Sequence, residues 1–491
     1  MEQPTVTKMQ SRMPQAAASA ATAKPQGSKP QFRPASARPR PPVALETTVV
    51  KPEFISIKVA DNQYKFTLTP IHVSYANTLR RIILTGIQTV AFRSDMVSTG
   101  ARAGTTTDVA VLHNDTPMTN EMLADRIGLL PITYATPRTY NKDDYAFVLD
   151  VKGSTDKTTY VHASDFKITH TNTKEVDEKD DEVQPVVREI ANTEFFKPFN
   201  LTGDTSLIAI LTPSTPEQRI HIEAKASVGT GREHARFSPV SQCSYEYSLD
   251  SNPDRIEEMF TSWLNVTKKI SSIEKGSARH QQLEREFQTM QIKRCYLINE
   301  KQEPYSFDFT VESVGTLPVE YIVGQACEVA ENMCIEFVNI DKKGSVPKQV
   351  TIAPSDSRII GFDFLIRGHD HTLGNLLQTW LVENHIEGSA QPRITYAGYS
   401  VPHPLRDEII LRIGLQGDED DLELVAKQAI AAAARGCATM FHDLGVAWKN
   451  VTGAEQRVPR PASGRPLARG SMKARPKPEM TGPITVTKSD A

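Results

Sequence analysis

Apolar residues in the last third of the chain change their spacing from that of a strand to that of a helix. Phe362, Phe364 and Ile366 recur at every second position, which predicts a β-strand. The apolar residues that follow fall at i, i+3, i+4, i+7 and i+8, which is one face of an α-helix. They are Leu373, Leu376, Leu377, Trp380 and Leu381. Thr372 stands where a helix N-cap is expected, so the pattern predicts strand, turn and capped amphipathic helix.

The residues after this helix predict two strands and a second helix. The strands are expected from Arg393 to Tyr399 and from Glu408 to Leu415. The helix is expected from Asp420 onward, because alanine has the highest helix propensity, and Gly445 is expected near its end.

A second copy of the strand–turn–helix pattern lies near the start of the chain. The stretch KFTLTPIHVSYANTLRRIIL, from Lys65, aligns without a gap with DFLIRGHDHTLGNLLQTWL, from Asp363. Aligned pairs include Phe66 with Phe364, Ser74 with Thr372, Asn77 with Asn375, Leu79 with Leu377, Ile82 with Trp380 and Ile83 with Leu381. Two similar half-units in one chain can pack face to face, as in an isologous dimer. The predicted interface consists of Leu79, Ile82, Ile83, Leu373, Leu376, Leu377, Trp380 and Leu381.

Composition separates a foldable body from two ends. The 491 residues are 39% hydrophobic and 23% charged, which suits two or three folded domains. Residues 1–50 and 453–491 are rich in proline and basic residues and are predicted to be disordered tails. A second interpretation of the tails is weak contact with nucleic-acid phosphates. The net charge of −3 gives no global field typical of a nucleic-acid binder.

The candidate chemical motifs do not add up to a catalytic or metal site. The five cysteines are scattered and contain no CxxC pair, which argues against a cysteine-based zinc site. His369 and His371 flank Asp370, but a metal needs a further well-placed ligand. No phosphate-binding loop, nucleophile elbow or membrane-spanning apolar run occurs. We therefore predict no cofactor, no metal and no enzymatic activity for the chain by itself.

Several motifs, in order, resemble the α-like subunits of RNA polymerases. SYANTLRRIIL resembles the opening helix of the bacterial α subunit and of its archaeal and eukaryotic counterparts. DHTLGNLL, AGYSVPHPL and IILRI resemble the smaller partner, which is the archaeal L or eukaryotic eleventh subunit. Between them lie matches to the larger partner, the archaeal D or eukaryotic third subunit: NEMLADRIGLLPI, GREHARFSPV and FTVESVGTLP. The two partners are normally separate chains, and their fusion in one chain is similar to the fused subunit carried by large nucleocytoplasmic DNA viruses.

This resemblance implies an α+β fold with two α-like dimerisation domains paired within one chain. The first domain would carry an inserted, mainly β domain. The expected ranges are 51–99 with 303–340 for the larger-partner domain, 100–249 for the insert, 250–302 for a helical connecting segment, 341–358 for a linker and 359–452 for the smaller-partner domain. The four-cysteine zinc loop and the iron–sulfur clusters of some relatives cannot be carried over, because no cysteine precedes Cys243.

The resemblance also implies a function and a set of partners. The expected role is that of a non-catalytic assembly subunit that scaffolds the largest and second-largest polymerase subunits together with a small tenth-subunit-like protein. DNA would be reached only through the complex, with no membrane contact and no homo-oligomer. The expected location is intracellular: the host cytoplasm, the virion or the nucleus. The alternative is a nucleic-acid-binding accessory protein that uses the basic tails.

Two stretches are candidates for contact with the large subunits. Arg80 and Arg81 form either a solvated helix edge or, as the resemblance implies, part of that contact. The stretch from Gly231 to Val240 contains a His–Glu pair that could serve acid–base chemistry, but nothing converges on it, and an exposed docking loop is expected instead. The residues of that loop are Arg232, Glu233, His234, Arg236 and Phe237.

Overall fold

The computed structural model describes residues 51–95, 106–172, 186–199, 202–355, 358–417 and 421–453. Residues 1–50 and 454–491, which hold the two predicted basic tails, lie outside these ranges. The acidic composition of TNTKEVDEKDDEVQP, from Thr171 to Pro185, predicts a loop, and most of this stretch also lies outside them.

The elements follow one another in four groups along the chain. The first group is β1 (Glu53–Ala60), β2 (Gln63–Thr69), α1 (Val73–Thr85) and β3 (Gln88–Ala91). The second is β4 (Val109–Asn114), α2 (Asn120–Gly128), β5 (Tyr145–Lys152), β6 (Thr159–His162), β7 (Lys167–Asn172), β8 (Val186–Ile190), β9 (Leu207–Leu211), β10 (Arg219–Ala224) and β11 (Ser227–Thr230). The third is β12 (Val240–Tyr247), α3 (Pro253–Trp263), α4 (Ala278–Met290), β13 (Phe307–Ser313) and α5 (Val319–Ile335). The fourth is β14 (Val350–Pro354), β15 (Gly361–Arg367), α6 (His371–Leu381), β16 (Tyr396–Ser400), β17 (Glu408–Gly414) and α7 (Leu422–Thr452).

Two four-stranded antiparallel sheets have the same construction. Their strand orders are β1-β2-β13-β12 and β14-β15-β17-β16. The two central strands of each sheet are each followed in the chain by a helix: β2 by α1 and β13 by α5 in the first sheet, β15 by α6 and β17 by α7 in the second. The 298-residue offset that aligns Phe66 with Phe364 also brings the first and last residues of β2 onto those of β15. The internal repeat and the α+β class predicted from the sequence are thus confirmed. Each sheet with its two helices is called a half-unit below: β1, β2, β12, β13, α1 and α5 form the first, and β14–β17, α6 and α7 form the second.

The inserted domain lies between α1 and β12 of the first half-unit. It contains a five-stranded sheet of order β4-β10-β5-β7-β8 with its own core, which includes Phe147, Leu149 and Ile222. Strand β3 pairs with β11 of the insert, whereas β12 pairs with β13 in the first sheet. The insert therefore begins and ends earlier than the predicted range of 100–249. Alternating apolar residues mark a strand but do not show which sheet it joins.

A small helical module replaces a tight turn between the adjacent strands β12 and β13. Helices α3 and α4 lie within the predicted segment 250–302. Trp263, Phe287 and Cys295 lie in a separate small core of this module. Its ends are held together by a β-bridge between Leu249 and Tyr296, so the module leaves and rejoins the sheet at one place.

The predicted linker and the predicted end of the last helix both differ from the structure. Residues 350–354 of the expected linker form β14, which pairs with β15, and only the part before Val350 connects the half-units. Flanking prolines hid this short strand in the sequence. Helix α7 does not end near Gly445 but continues to Thr452, because Leu444 and Trp448 are buried on its inner face. Packing overrides the weak helix propensity of one glycine.

Candidate functional site

Helices α1 and α6 meet through hydrogen bonds that repeat across an approximate twofold axis. Ser74 Oγ accepts hydrogen bonds from Thr379 Oγ1 at 3.0 Å and from Asn375 Nδ2 at 3.1 Å. Arg81 Nε donates to Thr372 Oγ1 at 2.8 Å. The 298-residue offset converts Ser74 into Thr372 and Arg81 into Thr379, so the contact 74–379 and the contact 372–81 are the same contact seen from either half-unit. This reciprocity is the mark of an isologous interface.

The residues expected to cap these helices serve the interface instead. Asp370 caps α6, and its Oδ1 accepts a hydrogen bond from the backbone N–H of Thr372 at 2.8 Å. His72 caps α1 in the same way, with Nδ1 accepting from the backbone N–H of Ser74 at 3.1 Å. The prediction of Thr372 as the cap was therefore wrong by two positions. Because earlier residues supply the caps, both hydroxyls are available for contacts between the half-units.

Arg81 joins the half-units electrostatically as well. Its guanidinium lies 3.4 Å from Asp370 Oδ2. Partial burial raises the pKa of the Asp370 carboxyl, but hydrogen bonds from Thr372 and the charge of Arg81 outweigh it and hold the pKa below its ordinary value. A residue expected to contact large subunits is thus engaged inside the chain. Arg80 differs, since its Nε donates to Asn77 of the same helix at 3.0 Å.

A buried phenol–carboxylate contact, which the sequence patterns did not reveal, crosses the same interface. Tyr75 is 5% exposed and donates a hydrogen bond of 2.5 Å to Glu383 Oε2. Burial raises the pKa of Tyr75 far above its ordinary value, and the charge of Glu383 adds to the effect. The phenol therefore stays a hydrogen-bond donor. Glu383 follows α6 in a short π-helical turn, Val382–Glu387, which no periodicity in the sequence signals.

The predicted apolar interface divides between two cores. Leu79, Ile82, Ile83 and Leu376 lie in one core that is built from both half-units, and Trp380 packs against it. Leu373, Leu377 and Leu381 lie in the core of the second half-unit. The helix face read from the sequence is buried as expected, but it turns to two different partners. A periodicity of 3.6 residues shows that a face is buried and not what covers it.

The largest helix contact between the half-units is made by α5 and α7, which the sequence analysis did not identify. Trp448 of α7 is fully buried and donates from Nε1 to the carbonyl oxygen of Glu320 at 2.9 Å. Its ring lies 5.0 Å from that of Phe54 and 5.1 Å from that of Phe66, centroid to centroid. A tryptophan of the second half-unit thus completes the aromatic core of the first. The alanine-rich sequence of α7 indicated a helix but gave no apolar stripe to follow.

The predicted docking loop is partly a structural joint. Arg236 Nη1 donates to the carbonyl oxygen of Phe92 at 2.8 Å and to Ser94 Oγ at 2.7 Å, and Phe237 is fully buried. The burial of Phe237 departs from the expected exposed loop, whereas Arg236 is half-exposed and its contact with a large subunit stays a prediction. Glu233 accepts two hydrogen bonds from Arg93, at 2.6 and 2.8 Å.

Three residues of this loop, Arg232, Glu233 and His234, remain exposed, and Arg232 reaches beyond the insert. Arg232 pairs with Asp407 of the second half-unit at 2.9 Å, and its backbone N–H donates to the carbonyl oxygen of Thr85 at 3.1 Å. His234 is exposed, and its Nδ1 accepts from the backbone N–H of Arg236 at 3.1 Å. The loop therefore joins α1, the insert and the second half-unit.

The two histidines beside Asp370 have partners of their own. His369 Nε2 lies 3.3 Å from Glu336 Oε2, and His371 Nδ1 lies 3.2 Å from the hydroxyl of Tyr399. Across the residues that the structure describes, no three His, Cys, Asp or Glu side chains group in a way that could hold a metal ion. Over the same residues, no helix has both the length and the apolar character needed to cross a membrane.

Comparisons with known proteins assign both half-units to one kind of domain. Residues 65–334 and residues 362–445 each match a family model described as the RNA polymerase Rpb3/Rpb11 dimerisation domain. The chain is 24% identical over 294 residues to DNA-directed RNA polymerase subunit Rpo3 of Pyrococcus furiosus, covering 57% of this chain and 93% of that protein. It is 24% identical over 310 residues to the human DNA-directed RNA polymerases I and III subunit RPAC1, covering 58% and 82%.

Proposed function

Because this chain belongs to the RNA polymerase Rpb3/Rpb11 dimerisation-domain family, we propose that it is a non-catalytic assembly subunit of a multisubunit DNA-directed RNA polymerase. It supplies both members of an α-like heterodimer as one chain. The observation that carries this proposal is the reciprocal contact of α1 with α6, in which Ser74 meets Thr379 and Arg81 meets Thr372. Two domains of the same kind, facing each other across an approximate twofold axis, are arranged as a dimer.

The proposed partners are the largest and second-largest polymerase subunits and a small tenth-subunit-like protein. Of the candidates for these contacts, Arg232, Glu233 and His234 are exposed and Arg80 is half-exposed. Arg80 lies beside the edge strand β12, in a surface cavity that is also lined by Tyr245 and Tyr247. Arginine and aromatic residues are enriched in protein interfaces, which supports a docking role for this edge. Arg81 and Arg236 are half-exposed candidates that also make contacts within the chain, whereas Phe237 is fully buried.

In this proposal the large subunits catalyse RNA synthesis, and this chain positions them relative to each other. A preformed pair of half-units presents both docking faces at once, so the large subunits need not wait for two small chains to associate. The proposal places the chain inside the cell, as a fused subunit of a viral polymerase. No homo-oligomer is required, because the pairing surface is occupied within the chain.

Co-purification from the native source tests this function. A tagged chain should recover two large subunits and DNA-dependent RNA synthesis in the same fraction. An Arg80→Glu variant should recover less of the large subunits, whereas Lys157→Glu, a charge reversal on an exposed loop of the insert, should recover as much as the unaltered chain. A chain that purifies without large subunits would contradict the proposal.

A second candidate function, binding of nucleic acid by the tails, is favoured by the distribution of charge. Residues 1–50 carry seven basic and two acidic side chains, and residues 454–491 carry eight and three. Residues 51–453 therefore hold a formal charge of −13 within the total of −3. The near-neutral total conceals this segregation. Phosphate contacts by the tails would make duplex-DNA binding fall steeply with salt, and replacing Arg457, Arg460, Arg465 and Arg469 by Gln should flatten that dependence.

A further inference from the structure

The polar contacts between α1 and α6 share one geometry across the approximate twofold axis but differ in chemistry. Arg81 faces Thr372 and Asp370, whereas the equivalent contact places Thr379 against Ser74. The offset relates Asp370 to His72, and Arg81 to Thr379. One side of the axis therefore has a cation opposite a carboxylate, and the other side has two hydroxyls.

A pair made of two first half-units would lose this match. Each Arg81 would face Ser74 and His72 of the other copy instead of Thr372 and Asp370. Each buried Tyr75 would face Thr85 instead of Glu383, and its hydroxyl would lose a carboxylate acceptor. Two half-exposed guanidinium groups would then lie at the contact without an anion opposite them, and each would lose the ion pair with Asp370.

A pair made of two second half-units would fail for the opposite reason. Each Asp370 would face Thr379, and each Glu383 would face Leu373, which is fully buried here. Four carboxylates would lie at the contact without the arginine and the phenol that now satisfy two of them. A half-buried Glu383 placed against a leucine would lose its hydrogen-bond partner, which is unfavourable.

We infer that Arg81, with Asp370 and Thr372, and Tyr75, with Glu383, determine pairing specificity: they make each half-unit select the other rather than a second copy of itself. The inference rests on the proposed function, since it explains how the heterodimer within one chain stays closed. Specificity of this kind needs unfavourable wrong pairs as well as a favourable right pair. The unmatched arginines disfavour one wrong pair, and the unmatched carboxylates disfavour the other. The pairing surface of each half-unit therefore binds the other half-unit in preference to a second copy of itself.

Charge reversal at position 81 in the full chain tests the inference. Arg81→Glu places a carboxylate opposite Asp370 in the internal pair, but opposite His72 and Ser74 in a pair of first half-units. We expect this variant to associate chain with chain at least tenfold more tightly than the unaltered protein, by light scattering after size exclusion. Adding Thr372→Arg gives the new carboxylate at position 81 a cation in the internal pair and leaves the Asp370 cap intact, so the double variant should be monomeric again.

The adjacent arginine provides the matched control. Arg80→Glu makes the same change of charge one residue away, at a side chain bonded to Asn77 of its own helix, and should leave the chain monomeric. If Arg81→Glu misfolds instead of dimerising, recovery of the folded monomer by Thr372→Arg still supports the inference. A monomeric Arg81→Glu chain of unchanged thermal stability would overturn it, as would failure of Thr372→Arg to restore the monomer, or dimerisation of Arg80→Glu. The proposed function fails by a different result, a chain that purifies without large subunits.

Discussion

Tyr75 donates a 2.5 Å hydrogen bond to Glu383 across the contact between the two half-units. The two residues are 308 positions apart in the sequence, and the phenol is almost fully buried. A buried donor that loses its acceptor keeps the whole cost of its desolvation. The contact therefore reports on whether the half-units are in register.

Glu383→Ala should lower the free energy of unfolding by about 1–3 kcal/mol, because Tyr75 would be left without an acceptor. Glu383→Gln is the matched control, since its amide oxygen can still accept the hydrogen bond and the loss should be smaller. Urea denaturation followed by tyrosine and tryptophan fluorescence measures both. Equal losses for the two variants would mean that the hydrogen bond does not stabilise the contact.

The glycines of α7 give a pair of identical substitutions with opposite expected effects. An added Cβ at Gly436 would overlap the ring of Trp380, whereas at Gly445 it would make ordinary van der Waals contact with Cys327. Gly436→Ala should destabilise the protein by about 1–3 kcal/mol through overpacking. Gly445→Ala should stabilise it by about 0.5–1 kcal/mol, because alanine is the better helix former. Thermal unfolding of the two variants gives the comparison, and a stable Gly436→Ala protein would refute the packing of Trp380 over α7.

Leu376 and Leu405 compare the shared core with the surface. Leu376 is fully buried in the core built from both half-units, and Leu405 is 89% exposed. Leu376→Asp should remove soluble, cooperatively folded protein, because an unpaired buried carboxylate costs several kcal/mol, comparable to the stability of a domain. Leu405→Asp should leave yield and melting temperature unchanged. A soluble and cooperatively melting Leu376→Asp protein would contradict the shared core.

The five cysteines should resist alkylation while the chain is folded. All five are buried and free, and burial raises the pKa of Cys243 and of Cys327 to about 12. At pH 8 a shift of this size lowers the thiolate fraction on the order of a thousandfold, and the thiolate is the form that reacts. Intact-mass measurement after iodoacetamide treatment should show unmodified native protein and five modifications in urea. Rapid native labelling at either position would show that the core around it opens.

The repeat could be predicted from the sequence because its signal is local. Phe66 and Phe364 lie at equivalent positions of a strand, and Leu79 and Leu377 lie at equivalent positions of a helix. The two copies align without a gap. Strand pairing could not be predicted in the same way. The pattern of β12 fits a strand of either the insert or the first sheet, and only the partner β13 decides between them.

The polar part of the interface was less accessible to sequence reasoning than its apolar part. Thr372 and Ser74 are good cap residues, yet Asp370 and His72 outcompete them from two positions earlier. Arg81 gave no sign that its partners lie almost 300 residues away. No pattern in the sequence singled out Glu383, because its role depends on a π-helical turn that only the folded chain shows.

Cleavage of the connection between the half-units tests the central claim most directly. Lys343 and Gly344 are exposed in the turn that joins Ile340 to β14, so a specific protease site can be inserted between them. If the half-units form a heterodimer, residues 1–343 and 344–491 should stay together at one-to-one stoichiometry after cleavage and still recover the large polymerase subunits. The smaller piece produced alone should aggregate or self-associate, because the face that holds Leu376 and Trp380 would meet water. Separation of the cleaved pieces under native conditions, with a monomeric and soluble piece 344–491, would contradict the account.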